Sequence, residues 1–377
     1  MTSNVKIALL TLLVTAFFHS GPTPAMENNA AAESVPAVML PQKGNPVNSA
    51  IDNYKKLMSG SLEGDKLIAD AMIAYQLPGG GFRKERLSRY ALGLPTPAAV
   101  AADHEQARFL GSIDNESTTT EIAFLADVYK RTHDEKYRQA AARALDYLME
   151  MQADSGGFPQ FYPSRGPDSY SNHATFNDGA MVRALVILQK AVRTEAPFDV
   201  ALFSSDQLRR AEGAIEKGVD FILKAQLVSN GVRSVWCAQH SMSDYSPQTA
   251  RSYELPSKSG SESTLVTAFL MSRPQTPEVS EAVRAALAWF RNPETYLADR
   301  TFDRSKTGVG NTPIVPQPGT RMWFRFYELN TQEPMFVDRD GTVHRDILQL
   351  DVERKDGYQW GGDWPETLLA YAENVRY

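Results

Sequence analysis

The chain has 377 residues, with 39 lysines and arginines against 45 aspartates and glutamates, a net charge of −6 and a hydrophobic fraction of 42%. A negative chain with no basic block is not built to neutralise nucleic-acid phosphates, and its apolar fraction is that of an ordinary globular protein with a sizeable core. The single cysteine, Cys237, cannot form an intramolecular disulfide and is expected as a buried small hydrophobe.

At the N-terminus Lys6 precedes the apolar run Ile7 to Phe18 and the small and turn residues ending at Thr23-Pro24-Ala25, the pattern of a secretory signal peptide over residues 1–25. The run falls short of the ~20 residues that span a bilayer, so the expectation is export to the periplasm or the medium without membrane insertion. Residues 26–47, rich in Ala, Asn, Pro and Glu and without periodicity, predict a flexible leader. The remaining residues, 48–377, are expected to form one catalytic domain and a monomer.

Three helix-to-loop junctions then resemble one another: IAYQLPGGGF with Gln76, LMEMQADSGGFPQF with Gln152, and LKAQLVSNGVRSVW with Gln226. They recur about 75 residues apart, a period that holds two helices and a functional loop, and such repeats bury their faces only by stacking. Further helices are expected at Thr118–Thr132, Gly179–Val192, Gln207–Leu223, Ser261–Met271 and Glu278–Arg291. Strand patterns are scarce, with short candidates at Trp236 and at Met335–Val337 before an Arg339-Asp340-Gly341 turn. The predicted fold is all-α, a toroid of helical hairpins with long functional loops gathered on one rim and little sheet.

Two runs enter helices through an acid–amide pair, Asp114-Asn115 and Asn177-Asp178. A helix cap, reinforced by Glu121 in the first case, explains either pair alone. Their recurrence also places oxygen donors where two loops could face one cleft, a partial shell for a hard cation such as Ca²⁺ that an anionic substrate would complete. No His/Cys spacing suits zinc among six scattered histidines. The loop Trp236 to Thr264, which carries His240, Arg251, Tyr253 and Glu254, is long, polar and aperiodic, as functional loops are. His240 taken alone is better explained as a hydrogen-bonded structural histidine. Finally Gly319 to Gly341 sets Arg321, Arg325 and Arg339 among Trp323, Phe324, Phe326, Tyr327 and Phe336, with few acids nearby in sequence. Guanidinium forks and aromatic faces together suit an acidic carbohydrate.

Taken together, Ile113-Asp114-Asn115, Phe176-Asn177-Asp178 with Ala180-Met181, the Gln239-His240 segment continuing to Ala250-Arg251-Ser252-Tyr253-Glu254-Leu255-Pro256, the run Gly319–Leu329 and the Arg339-Asp340-Gly341 turn resemble the family 10 polysaccharide lyases, which are pectate lyases. The closing run Glu353–Gly362 also fits. The resemblance implies an (α/α)3 toroid, polygalacturonate or oligogalacturonides as substrate, and calcium-assisted β-elimination. It implies Arg339 as Brønsted base, with Arg251, Arg325, Asp114, Asn115 and Asp178 at substrate-carboxylate and calcium positions. Arg321, Tyr253 and Trp323 are added as substrate-binding candidates, and Asn177 beside Asp178 as a metal ligand. One departure stands out: Glu116-Ser117-Thr118 replaces the usual Gly-Ala-Thr, adding a negative charge beside the site. Two other readings compete. An inverting hydrolase would use Asp114 and Asp178 as its carboxylates, ~6.5–9.5 Å apart. A non-catalytic protein would bind acidic polysaccharide through the same arginines and aromatics.

Overall fold

The computed structural model describes residues 37–84 and 87–377. The expected export signal and the first part of the leader lie outside the described residues. Three helical hairpins form the body: α3 (Thr119–Thr132) with α4 (Glu135–Met151), α5 (Ala180–Val192) with α6 (Ser205–Ala225), and α7 (Glu262–Leu270) with α8 (Pro277–Arg291). They are preceded by α1 (Leu62–Tyr75) and α2 (Pro97–Gln106) and followed by α9 (Val352–Gly357) and α10 (Pro365–Asn374).

The sequence separates the members of each hairpin into two rings. In α3, α5 and α7 nearly every residue is buried, Thr119 through Ala126 without a break. In α4, α6 and α8 one apolar face is buried and the other is charged. A helix buried all round belongs inside and an amphipathic one outside, so the first set packs as an inner ring against α4, α6 and α8. Among the described residues no helix is long and apolar enough to cross a membrane.

The repeated glutamine has one structural role in all three junctions. Gln76 Nε2 donates to Gly80 O at 2.7 Å and to Ala140 O on α4 at 2.9 Å. Gln152 Nε2 reaches Gly156 O at 2.9 Å and Ala214 O on α6 at 2.8 Å, and Gln226 Nε2 reaches Ser234 O at 2.8 Å and Ala282 O on α8 at 2.9 Å. Each therefore ends one outer helix and clips it to the next. The glycines that follow make room for this contact: at Gly156, with φ +95°, a Cβ would lie 2.0 Å from Lys217 O. Gln226→Leu should lower stability by about 2–4 kcal/mol, because two buried carbonyls lose their donor. An unchanged urea midpoint would show that the clip is dispensable.

Short antiparallel ladders tie the loops together on the same plan. Gly111–Ser112 pairs with Phe161–Tyr162, Ala174–Thr175 with Gln239–His240, and Lys258–Ser259 with Phe326–Tyr327. Each first partner leads into an inner helix.

Two expectations need correction. Residues 37–47, assigned to a flexible leader, are bound to the body: Val38 bridges Gln275, Tyr371 donates to Pro41 O, and buried Asn45 donates to Ala268 O at 3.0 Å. The turns that follow, Pro46–Ser49 and Asp52–Leu57, pack on α7 and α3 respectively, so this segment closes the ring between the last hairpin and the first. Secondly, Tyr296–Phe302 and Ile314–Phe324 form a β-hairpin extended by Gly361–Gly362 into a three-stranded sheet. Alternation fails as a signal here because Met322, Trp323 and Phe324 are all buried, and Pro316 and Pro318 interrupt the run.

Candidate active site

The two acid–amide pairs do not cap helices. Asp114 and Asn177 begin tight turns ahead of α3 and α5, whose own first positions, Thr118 and Gly179, make no side-chain cap. Instead the second member of each pair, Asn115 (φ 50°, ψ 34°) and Asp178 (φ 51°, ψ 22°), takes the left-handed conformation. Asn and Asp tolerate this region better than other side chains, at a cost of about 1–3 kcal/mol that the scaffold must offset. The conformation turns both residues into one cleft of about 490 Å³, lined also by Glu116, Arg183, Glu262, Arg325 and Trp364. Glu121, expected to reinforce a cap, is buried and accepts a hydrogen bond from Tyr90.

Arg325 is nearly enclosed at the cleft wall. It donates to Asp178 Oδ1 at 3.0 Å, to Asn177 Oδ1 at 3.3 Å and to the fully buried Glu262, and its guanidinium lies 4.7 Å from the Tyr358 ring centre. Burial works against its charge, but Glu262, Tyr358 and Asp178 outweigh that penalty and hold its pKa above the ordinary arginine value. A smaller cavity of about 90 Å³ adjoins the cleft, sharing Asn115 and Asp178 with it and adding Lys84, Asp114, Asn177, Arg251 and Glu254. Asp114 is held at both oxygens, by Lys84 at 2.6 Å and by the Asn115 amide at 2.8 Å.

Beyond Arg251 the rings of Tyr253 and Tyr358, 6.2 Å apart, organise three arginines besides Arg325, which lies against Tyr358, making a group of four. Arg251 lies 4.8 Å from Tyr253, Arg339 5.3 Å, and Arg354 4.1 Å from Tyr253 and 4.7 Å from Tyr358. Arg339 sits in the expected turn between Phe336–Val337 and Val343–His344, where Ser252 holds its carbonyl. Its exposed guanidinium pairs with Glu353, and that hydrogen bond pushes its pKa up.

The sparse neutralisation expected for the arginine segment is therefore absent. Each guanidinium of the segment meets a glutamate from outside it, Arg321 with Glu366, Arg325 with Glu262 and Arg339 with Glu353, while Arg251 pairs locally with Glu254. Two candidates lie away from the cleft. Trp323 is fully buried with Nε1 bonded to Phe290 O, and Arg321 forms a bidentate pair with Glu366 beside the sheet. Tyr253 is buried too, its ring occupied by guanidinium groups, so it positions arginines and offers no stacking face to a sugar.

Sequence reasoning missed three residues. Trp364, half-buried, is the aromatic wall of the cleft; its signal is an aromatic directly before the proline that starts α10. Arg183, one turn into α5, donates to Asp178 O and Ala50 O and pairs with Glu116 at 3.2 Å, so the charge that departs from the family pattern is offset. Arg354 is buried without a carboxylate partner among the described residues, and burial pushes its pKa down. His240 and Cys237 are structural. The His240 ring accepts from Cys237 N and donates to Tyr245 O, and burial lowers its pKa to about 4.

This is the cleft of a helical-toroid polysaccharide lyase. A model of the pectic acid lyase family matches residues 76–369, and the chain belongs to that family. Among solved structures it is similar to a family 10 polysaccharide lyase from Cellvibrio cellulosa, with 44% identity and a TM-score of 0.80 over 90% of this chain and 99% of that one. A mutant of that lyase in complex with trigalacturonic acid gives 43% identity and a TM-score of 0.80 over 90% and 100% of the two chains. A comparison with curated proteins gives no match. The chain is thus a lyase of the pectate lyase class, which sets aside both the hydrolase and the non-catalytic reading.

Proposed function

We propose that the protein is exported and cleaves de-esterified polygalacturonate by β-elimination, with Arg339 as base and calcium as cofactor. The observation that carries this reading is the set of arginines, Arg251, Arg325 and Arg339, arranged along the cleft and around the Tyr253–Tyr358 pair. The homologue's complex with trigalacturonic acid supports an oligogalacturonide as ligand.

In this reading a uronate carboxylate pairs with Arg325 or Arg251, which stabilises the negative charge that grows at C5 as its proton leaves. Arg339 removes that proton, the electron pair becomes the C4–C5 double bond, and the C4–O bond breaks with its pair on the leaving oxygen, which takes up a proton from solvent. Arg339 must first be neutral. Its pairing with Glu353 opposes this, so substrate binding has to displace Glu353 and bring Arg339 toward Arg251, where neighbouring cations disfavour its charge.

The donor set suits calcium in part. The Asp178 carboxylate is half-exposed in the cleft and the Asn177 and Asn115 amides lie beside it, all oxygen donors, while no three His, Cys, Asp or Glu side chains gather as a ready site among the described residues. Asp178, Asn177 and Asn115 would hold the ion with the substrate's own carboxylate completing the shell; when bound, it supplies Lewis-acid neutralisation of that carboxylate.

The test follows ultraviolet absorbance of the unsaturated product from polygalacturonate. Absorbance should rise with added calcium, stop with chelator, and climb as pH moves from neutral to alkaline while the neutral fraction of Arg339 grows. New reducing ends without absorbance would overturn elimination, and a flat rate from neutral to strongly alkaline pH would overturn the arginine base.

A further inference from the structure

The small cavity beside the cleft opens into a third, of about 270 Å³, which shares Lys84, Asp114 and Tyr170 with it and is lined further by Arg83, Arg108, Phe161 and Arg165. Among the described lining residues four cations stand beside one carboxylate, Asp114, which is already bound by Lys84. Arg83 pairs with Asp103 at 2.8 Å. Arg108 and Arg165 differ from the arginines of the catalytic cleft: both are exposed, and neither forms an ion pair with any described residue. Arg165 lies over the Phe161 ring, 4.4 Å from its centre, which fixes the plane of its guanidinium. Arg108 is followed by Phe109, and both take positive φ, 54° and 55°, so this loop tip is held in a strained shape.

In a chain of net charge −6 a local excess of unpaired guanidinium groups has to be accounted for. Arg251 and Arg325 each already hold a glutamate, Glu254 and Glu262, whereas Arg108 and Arg165 hold no carboxylate among the described residues and so offer an arriving anion their full charge. We propose that Arg108 and Arg165, with Phe161 and Tyr170, form a distal subsite that captures the carboxylate of a uronate several residues along the polymer from the scissile bond. This rests on the reading of the main cleft as a polygalacturonate site. The subsite acts on capture and contributes nothing to bond breaking, so it favours long chains and weakens with salt.

The test compares wild type with Arg108→Gln, Arg165→Gln and the double variant on trigalacturonate and on long oligogalacturonates, with thermal melts to confirm folding. For the double variant KM on long chains should rise about tenfold with kcat unchanged, the effect should shrink in high salt, and trigalacturonate kinetics should not move. Equal losses on short and long substrates, or unchanged KM on long ones, would overturn the subsite while leaving the main reading intact. A wild-type enzyme that yields no unsaturated product from either substrate would overturn both.

Discussion

Arg339→Ala should lower kcat on polygalacturonate by about a thousandfold, with KM moving by less than tenfold, because in the proposed role as general base Arg339 makes an interaction found only in the transition state. Stability should hardly change, since the residue is exposed and its ion pair with Glu353 is a surface one. The companion variant is Glu353→Gln. Glu353 holds the pKa of Arg339 up, so its removal lets that pKa fall toward the ordinary arginine value, and the alkaline rise in rate should begin at lower pH. A pH profile that shifts upward, or an Arg339→Ala enzyme with wild-type turnover, would remove Arg339 from the base role.

Arg325→Ala should damage both the fold and the chemistry. Glu262 has no exposed side-chain surface, and Arg325 neutralises it. Deleting one member of a buried pair leaves an uncompensated charge and should destabilise by about 3–5 kcal/mol. Activity should fall further than the unfolded fraction explains, because the guanidinium proposed to pair with the substrate carboxylate is lost as well. Adding Glu262→Gln to Arg325→Ala should recover most of the stability and none of the activity. Urea midpoints measured beside turnover separate the two. If the double variant regained activity as well, Arg325 would be a structural residue only.

Helix positions were legible because the inner and outer rings obey simple patterns, and the junction glutamines announced a repeat whose atoms do the same work each time. The sheet was obscured where burial on both faces of Met322–Phe324 erased alternation. At the site, the recurrence of Asp114-Asn115 and Asn177-Asp178 pointed to two loops that could face one cleft, but the left-handed backbone of Asn115 and Asp178 was not legible in pairs that also read as helix caps. What sequence distance hid was partnership. Arg321 and Glu366, or Arg325 and Glu262, lie far apart along the chain, so a segment that reads as strongly cationic is locally neutral once folded. Likewise the wall of the cleft is Trp364 and not Trp323, a choice made by which face of the sheet packs on α8.

The two turns ahead of α3 and α5 have nearly the same backbone, yet their chemistry is exchanged: the left-handed position carries an amide at Asn115 and a carboxylate at Asp178. A pectate chain has distinct reducing and non-reducing ends, and a cleft with matching groups on both sides would accept it either way round. Swapping acid for amide at one position leaves the frame unaltered and makes the two sides of the cleft unlike. The amide at Asn115 and the carboxylate at Asp178 thus join Arg325 and Trp364 among the groups that make one side of the cleft chemically unlike the other, although the backbone frame beneath them is repeated.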